Sequence, residues 1–258
     1  MYNIGFWSKS FLYYFTLFIS ASFGVVSSAV LYLLGKSNIS QWLTARACNL
    51  ITSPAIRVKI QVENEFFMKT RPCVFICNHQ SELDILLLGR LFPKYCSIVA
   101  KKSLKFVPFL GWFMILSNTT FIDRRNRESA IKTIEEACKQ IRDNKVNDLL
   151  TDYSNIKKQS AWIFVEGTRS QFKTPDLLPF KKGAFHLAIQ ARVPIVPIVI
   201  ANYSSIYHLE SRIFKSGVIK VKVLEPIDTT SFSPSDIEQV ILETHKKMLK
   251  TIKELHQS

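Results

Sequence analysis

Residues 11–34 form an unbroken uncharged run of 24 positions, bracketed by Lys9 and Lys36. A helix of that length crosses a hydrocarbon core, so the run is predicted to be a membrane segment. It is too long for the apolar part of a cleaved leader, and no small-residue cleavage site follows it. Ser20, Ser22, Gly24, Ser27 and Ser28 dilute its middle. That pattern also suits a helix–helix contact, a buried core helix or a re-entrant hairpin broken near Gly24. Basic residues flank both ends, so orientation is not legible. Over 39–56, Trp42, Leu43, Ala47, Leu50 and Ile51 recur at helical spacing with Arg46 and Arg57 on the polar side. Two readings fit that spacing equally, a helix along a membrane interface and an ordinary surface helix.

From residue 57 the period changes. Val58, Ile60 and Val62 alternate as in a half-buried strand, while 73–77, 97–100, 161–165 and 195–200 are continuous apolar runs expected of buried strands. Residues 128–142 place Ala130, Ile131, Ile134, Ala137, Cys138 and Ile141 on one helical face. A further strand is expected at 218–224. Ser233-Pro234-Ser235-Asp236 then signals the start of a last helix, with serine at the N-cap and proline at the first helical position. The alternation predicts an α/β fold, a central mostly parallel sheet flanked by helices over 57–258, preceded by a membrane-anchoring helical segment over 1–56.

Charge adds a partner class. The chain carries 34 basic and 20 acidic residues, a formal +14, which attracts phosphate on nucleic acid, on a membrane surface or on a small molecule. The five cysteines lie mostly in apolar runs and are odd in number, the usage of reduced, buried thiols. Cys73, Cys77 and His79 invite a metal reading, but on a strand the two cysteines would stand roughly 13 Å apart at about 3.3 Å per residue. No second cluster supplies the remaining ligands, so no metal is expected.

The candidate chemistry centres on Asn78-His79-Gln80-Ser81-Glu82-Leu83-Asp84. An imidazole oriented by a carboxylate is a general base near neutral pH. In one regular helix the two side chains would point about 140° apart. His79 must therefore lie in the turn ahead of the helix, with Asp84 in its first turn reaching back. The same residues also read as a capping box, with Ser81 at the N-cap and Asp84 three positions on.

Ligands of α/β sheets bind where strands end, and three such loops are rich in phosphate-binding groups. After Ala100 come Lys101, Lys102 and Lys105; after Ile122 come Asp123, Arg124, Arg125 and Arg127; after Val165 come Glu166, Gly167, Thr168, Arg169 and Ser170. Gly167 would let the backbone approach a ligand, and the Arg169 fork matches phosphate oxygens in pairs. Glu166 is expected either to bond a substrate hydroxyl or to hold the arginine. Nucleic acid is not expected as a partner, because the aromatics near this charge, Phe106, Phe109, Trp112 and Phe113, lie in an apolar stretch suited to a core or to lipid.

These blocks resemble the 1-acyl-glycerol-3-phosphate acyltransferases, the lysophosphatidate acyltransferases, most closely their fungal-type members. The resemblance runs in order through His79 to Asp84, then 100–112 with Phe121-Ile122-Asp123-Arg124, then Glu166-Gly167-Thr168-Arg169-Ser170 with 178–185, then Val193-Pro194-Ile195-Val196-Pro197. Two departures stand out. Val165 stands where the family usually has proline, and 145–160 looks like an insertion.

The resemblance implies a transfer from acyl-CoA to the sn-2 hydroxyl of lysophosphatidic acid, giving phosphatidic acid and CoA, with no cofactor, no metal and no acyl-enzyme. It implies His79 as base and Asp84 as its orienter. Lys101 or its rival Lys105, with Arg124 and Arg169, would hold the acceptor's phosphate, while Glu166 would help place the glycerol and Gly167 and Thr168 would belong to the same substrate-binding set. It also implies contact with membrane lipid and a location in the endoplasmic reticulum. Two other readings remain open at this level: an acyltransferase of the same fold using another lysophospholipid or glycerol-3-phosphate, and a non-catalytic protein docking on anionic lipid.

Overall fold

Apolar runs too short for helices become the strands of a single large sheet, and the periodic stretches between them become the helices that cover it. The structure is a computed structural model and describes residues 4–123, 133, 135–139, 141 and 160–257. Its strands are β1 (Val58–Glu63), β2 (Val74–Cys77), β3 (Cys96–Lys101), β4 (Thr120–Ile122), β5 (Ser160–Phe164), β6 (Ile195–Ile200), β7 (Tyr207–His208), β8 (Ile213–Phe214) and β9 (Gly217–Val223). Seven of them form one sheet in the order β1-β9-β6-β2-β5-β3-β4, and β7 pairs with β8. Neighbours β2–β5, β2–β6, β3–β5, β3–β4 and β1–β9 are parallel, whereas β6–β9 is antiparallel. The expected mostly parallel α/β sheet is therefore present. Strands β2 to β6 all end at the same edge.

The central strands are buried on both faces, as their unbroken apolar runs require. In β2, Phe75 and Cys77 join one core with α1 (Ile4–Leu33), α2 (Ser40–Ile56) and α3 (Asp84–Leu91), while Val74 and Ile76 join the other. Helix α4 (Leu110–Leu116) lies against α1, while that second core is covered by α5 (Gly183–Ala191) and α6 (Ile237–Gln257), and Cys138 and Ile141 pack into it. Apart from residues 133, 135–139 and 141, the predicted helix over 128–142 lies outside the described residues, as does the insertion at 145–160 except for Ser160. Helix α6 begins as its sequence signal requires: Ser233 and Asp236 form a reciprocal capping box ahead of it.

Two features of the N-terminal segment lie beyond its local pattern. Helix α1 starts at Ile4, so Lys9 falls inside it, and it is long and apolar enough to cross a membrane by length and composition. In α2 the large apolar residues Trp42, Leu43, Leu50 and Ile51 are not buried. Leu50 is 74% exposed, while Ser40, Thr44, Cys48, Thr52 and Ile56, four positions apart, face inward. Small side chains let helices approach closely, so packing selects that stripe over the bulkier one. On α3, a Cβ at Gly89 would stand 2.9 Å from both the Ala45 carbonyl and the Asn49 Cβ of α2, so only glycine fits that approach. Arg46 of α2 donates to the Gly89, Arg90 and Phe92 carbonyls at the end of α3. Helix α3 is thereby fixed at one end by α2 and at the other by the polar loop that begins it.

Candidate active site

Helix α3 begins at Asp84, and its carboxylate turns back over the preceding loop. Oδ2 accepts from His79 Nδ1 at 2.7 Å, from the Gln80 N–H at 2.7 Å and from the Ser81 N–H at 3.3 Å. The capping box itself is not formed, because Leu83 and not Ser81 is the N-cap, but the carboxylate does satisfy backbone donors ahead of the helix and orients the imidazole. Asp84 is 1% exposed and both of its backbone partners offer it a proton. An ionised carboxylate only accepts, so the His79 proton sits on Nδ1 and Nε2 carries the lone pair. The ring stacks on Phe164, centroids 4.1 Å apart, and stays partly exposed.

The loops after β2, β5 and β6 are tied into one edge. Asn78 donates to the Ile200 carbonyl at 3.1 Å and accepts from the Ile200 N–H at 2.8 Å, extending the β2–β6 pairing through a side chain. The Ser170 and Gln171 N–H groups donate to the His79 and Gln80 carbonyls at 2.9 and 3.1 Å. Gly167, at φ 72°, occupies the left-handed region that the turn after β5 needs, and its N–H donates to Phe164. Val165 sits where the resemblance expects proline, and its N–H donates to the Cys77 carbonyl at 3.1 Å, a bond proline cannot make.

Glu166 differs from expectation. It does not hold Arg169. Its Oε1 accepts from the His79 N–H at 2.6 Å and its Oε2 from the Leu178 N–H at 2.8 Å, and the side chain is 1% exposed. It is a buried clamp on the backbone of His79. Burial pushes its carboxyl up to about 7, against the pull of those two N–H groups. An unfolded carboxyl titrates near 4.3, so the folded chain binds more protons between these values and this group's contribution to stability falls as pH rises through that window. Glutamine at 166 must turn an NH₂ toward one of two backbone donors, neither of which can accept. We expect Glu166→Gln to cost about 1–3 kcal/mol, read as a lower thermal midpoint, and to lose this pH dependence.

The arginine's partner is Glu82. Arg169 donates to Glu82 Oε2 at 3.5 Å and remains about half exposed. Glu82 Oε1 accepts from Tyr207 and, at 3.0 Å, from Tyr14 of α1, while the Glu82 carbonyl accepts from Tyr13 at 2.8 Å. Burial by itself would raise the Glu82 carboxyl, but the Tyr207 and Tyr14 hydroxyls and the Arg169 charge hold it below its usual range. Of the remaining candidates, Lys101 ends β3 and Thr168 follows Gly167, both exposed at the same edge as His79. Lys105 places its ammonium 4.6 Å from the centre of the Phe121 ring. Arg124 lies outside the described residues. Sequence reasoning missed Asn78, Gln80, Tyr14, Tyr203 and Tyr207 as site-building groups. Of these, Asn78 and Gln80 lie inside the motif but had no role assigned; the tyrosines carry no local signal.

A profile of the Acyltransferase family matches residues 59–201. The 1-acyl-sn-glycerol-3-phosphate acyltransferase of Saccharomyces cerevisiae is 40% identical over 233 residues, covering 90% of this chain and 73% of the relative. An uncharacterised acyltransferase of Schizosaccharomyces pombe is 42% identical over 240 residues, covering 93% and 81%. The human 1-acyl-sn-glycerol-3-phosphate acyltransferase beta is 38% identical over 183 residues, covering 71% of this chain and 60% of its own. The crystal structure of the 1-acyl-sn-glycerophosphate (LPA) acyltransferase of Thermotoga maritima, 22% identical, matches over 98% of each chain with a TM-score of 0.73 and shares the fold. With a buried carboxylate orienting a histidine at the shared strand edge and relatives of this kind along most of its length, the chain belongs to the 1-acyl-sn-glycerol-3-phosphate acyltransferase family and is an enzyme.

Proposed function

We propose that this enzyme moves an acyl group from acyl-CoA to the sn-2 hydroxyl of lysophosphatidic acid, giving phosphatidic acid and CoA for phospholipid synthesis. The observation that carries the chemistry is the 2.7 Å bond from His79 Nδ1 to Asp84, which leaves Nε2 as the base. His79 Nε2 takes the hydroxyl proton as the oxygen attacks the thioester carbon. The C–O bond forms, the C–S bond breaks, and the imidazolium returns the proton to the departing thiolate. Asp84 stabilises that imidazolium while it exists. Arg169, with Lys101 and Arg124, is assigned to the acceptor's phosphate, since a guanidinium meets two phosphate oxygens at once.

A membrane location fits both substrates, because each CH₂ kept in the bilayer avoids about 0.8 kcal/mol of exposure to water. Supporting it, α1 presents Phe11, Phe15, Val26, Val30 and Leu33 outward, and beside it Phe106, Trp112 and Ile115 are exposed. Phe109 packs edge-on against Phe18 of α1, 4.8 Å between centroids.

Thiol release from acyl-CoA, measured with lysophosphatidic acid, other lysophospholipids and glycerol-3-phosphate, tests the assignment. The highest kcat/KM is expected with lysophosphatidic acid; a higher value with another acceptor would replace the substrate. In the same assay Arg169→Ala is expected to raise KM for lysophosphatidic acid at least about tenfold, the loss of one charge-assisted bond. An unchanged KM would remove Arg169 from the phosphate site.

A further inference from the structure

Asp84 has two oxygens, and the bond to His79 uses one. The other, Oδ1, accepts from the Tyr203 hydroxyl at 2.6 Å. Tyr203 lies just past β6, 119 positions from Asp84, and is 2% exposed. A phenol has one proton, and the ionised carboxylate has none to give, so that proton lies toward Asp84. The phenol oxygen must then accept at its second contact, from Ser81 Oγ at 2.8 Å. Ser81 Oγ accepts in turn from the Leu83 N–H at 3.1 Å. The bonds run one way, from Leu83 through Ser81 and Tyr203 to Asp84, and each polarises the next. The ring's own backbone is also held. The Tyr203 N–H donates to Gln80 Oε1 at 3.3 Å, and Gln80 Nε2 donates to the Ile200 and Ala201 carbonyls at 3.1 and 2.8 Å.

An aspartate's last torsion is soft, and a carboxylate gripped at one oxygen can swing about it. We propose that Tyr203 is a positioning residue for acyl transfer: its hydroxyl pins the second oxygen of Asp84, fixing the carboxylate against His79 and sharing its charge. This rests on His79 acting as the base. A less shared Asp84 charge holds the imidazolium more tightly, so the base loads with a proton at higher pH. The other ionisable groups packed round this pair are Cys77 of β2, Glu166 after β5 and Tyr13 of α1, which in turn faces Glu82 ahead of α3. Burial keeps the Cys77 thiol protonated and raises the Glu166 carboxyl to about 7.

The test is Tyr203→Phe in the full chain, assayed with acyl-CoA and lysophosphatidic acid across the active pH range. We expect kcat to fall about tenfold with both KM values within about twofold, and the acid limb of kcat/KM to move to higher pH. Native kcat, a loss confined to KM, or a lower kcat with an unmoved acid limb would overturn the proposal; the last would mark Tyr203 as merely structural. If Tyr203→Phe does not fold, Ser81→Ala weakens the same donor from one bond further out. It is expected to move the acid limb the same way by less, and no movement would overturn the proposal. His79→Ala run alongside separates the two claims. An active His79→Ala chain removes the base itself, whereas an inactive one beside a native-like Tyr203→Phe chain removes only the role of the tyrosine.

Discussion

Replacing His79 with alanine is expected to slow acyl transfer by on the order of 10²- to 10⁴-fold, the worth of general-base assistance, while the chain stays folded. The expectation of an intact fold is specific. The bonds through the His79 backbone, from its N–H to Glu166 and from the Ser170 N–H to its carbonyl, do not involve the ring. Asp84 would still accept from Gln80, Ser81 and Tyr203, so no buried carboxylate is left bare. What disappears is the stacking on Phe164 and the one nitrogen able to take the hydroxyl proton. Thiol release and a thermal melt on the same preparation read both halves. Near-native turnover would eliminate the proposed mechanism, and a lost melt would show that the ring holds the loop.

Asp84→Asn should cost nearly as much activity with little loss of stability. Its amide oxygen can occupy the place of Oδ2 and keep the three donors there. Its NH₂, in the place of Oδ1, can donate to the Tyr203 oxygen, whose proton then turns to Ser81 Oγ. The network tolerates this reversal because a hydroxyl both donates and accepts, which the backbone donors around Glu166 cannot do. The charge is nonetheless gone, so nothing stabilises the imidazolium as it forms. A loss on the order of 10³ is expected, within the 10²- to 10⁴-fold range of general-base assistance. Because base and orienter act as one unit, the double variant His79→Ala/Asp84→Asn should be no slower than His79→Ala. An additive loss would mean that Asp84 has a separate role in the reaction.

Residues within a few positions of each other explain what was legible in the chain. The apolar runs at 73–77, 161–165 and 195–200 announced buried strands because a strand covered on both faces has no polar side to show. The five-residue step from His79 to Asp84 announced a turn followed by a helix, since no other local geometry lets the pair meet. The start of α6 was written in Ser233 and Asp236 for the same reason of proximity. Where the local pattern left two readings open, a long-range term decided the packing. The spacing over α2 fitted an interfacial or a surface helix; close approach to its neighbours made the small-residue stripe the packing face, and Leu50 was left outside.

The sequence by itself determined the class of fold, the helical stretch able to enter a membrane, and the pairing of a histidine with the carboxylate that starts α3. Tertiary structure alone decided what surrounds that pair: Glu166 clamping the backbone of His79 from 87 positions away, Tyr203 on the second oxygen of Asp84, and Glu82 shared by Arg169 and two tyrosines. The reason is the strand order. Placing β6, β2 and β5 side by side brings the loops after them to one edge, and hydrogen-bond partners across that edge are fixed by which strands are neighbours, which the local spacing of residues does not encode.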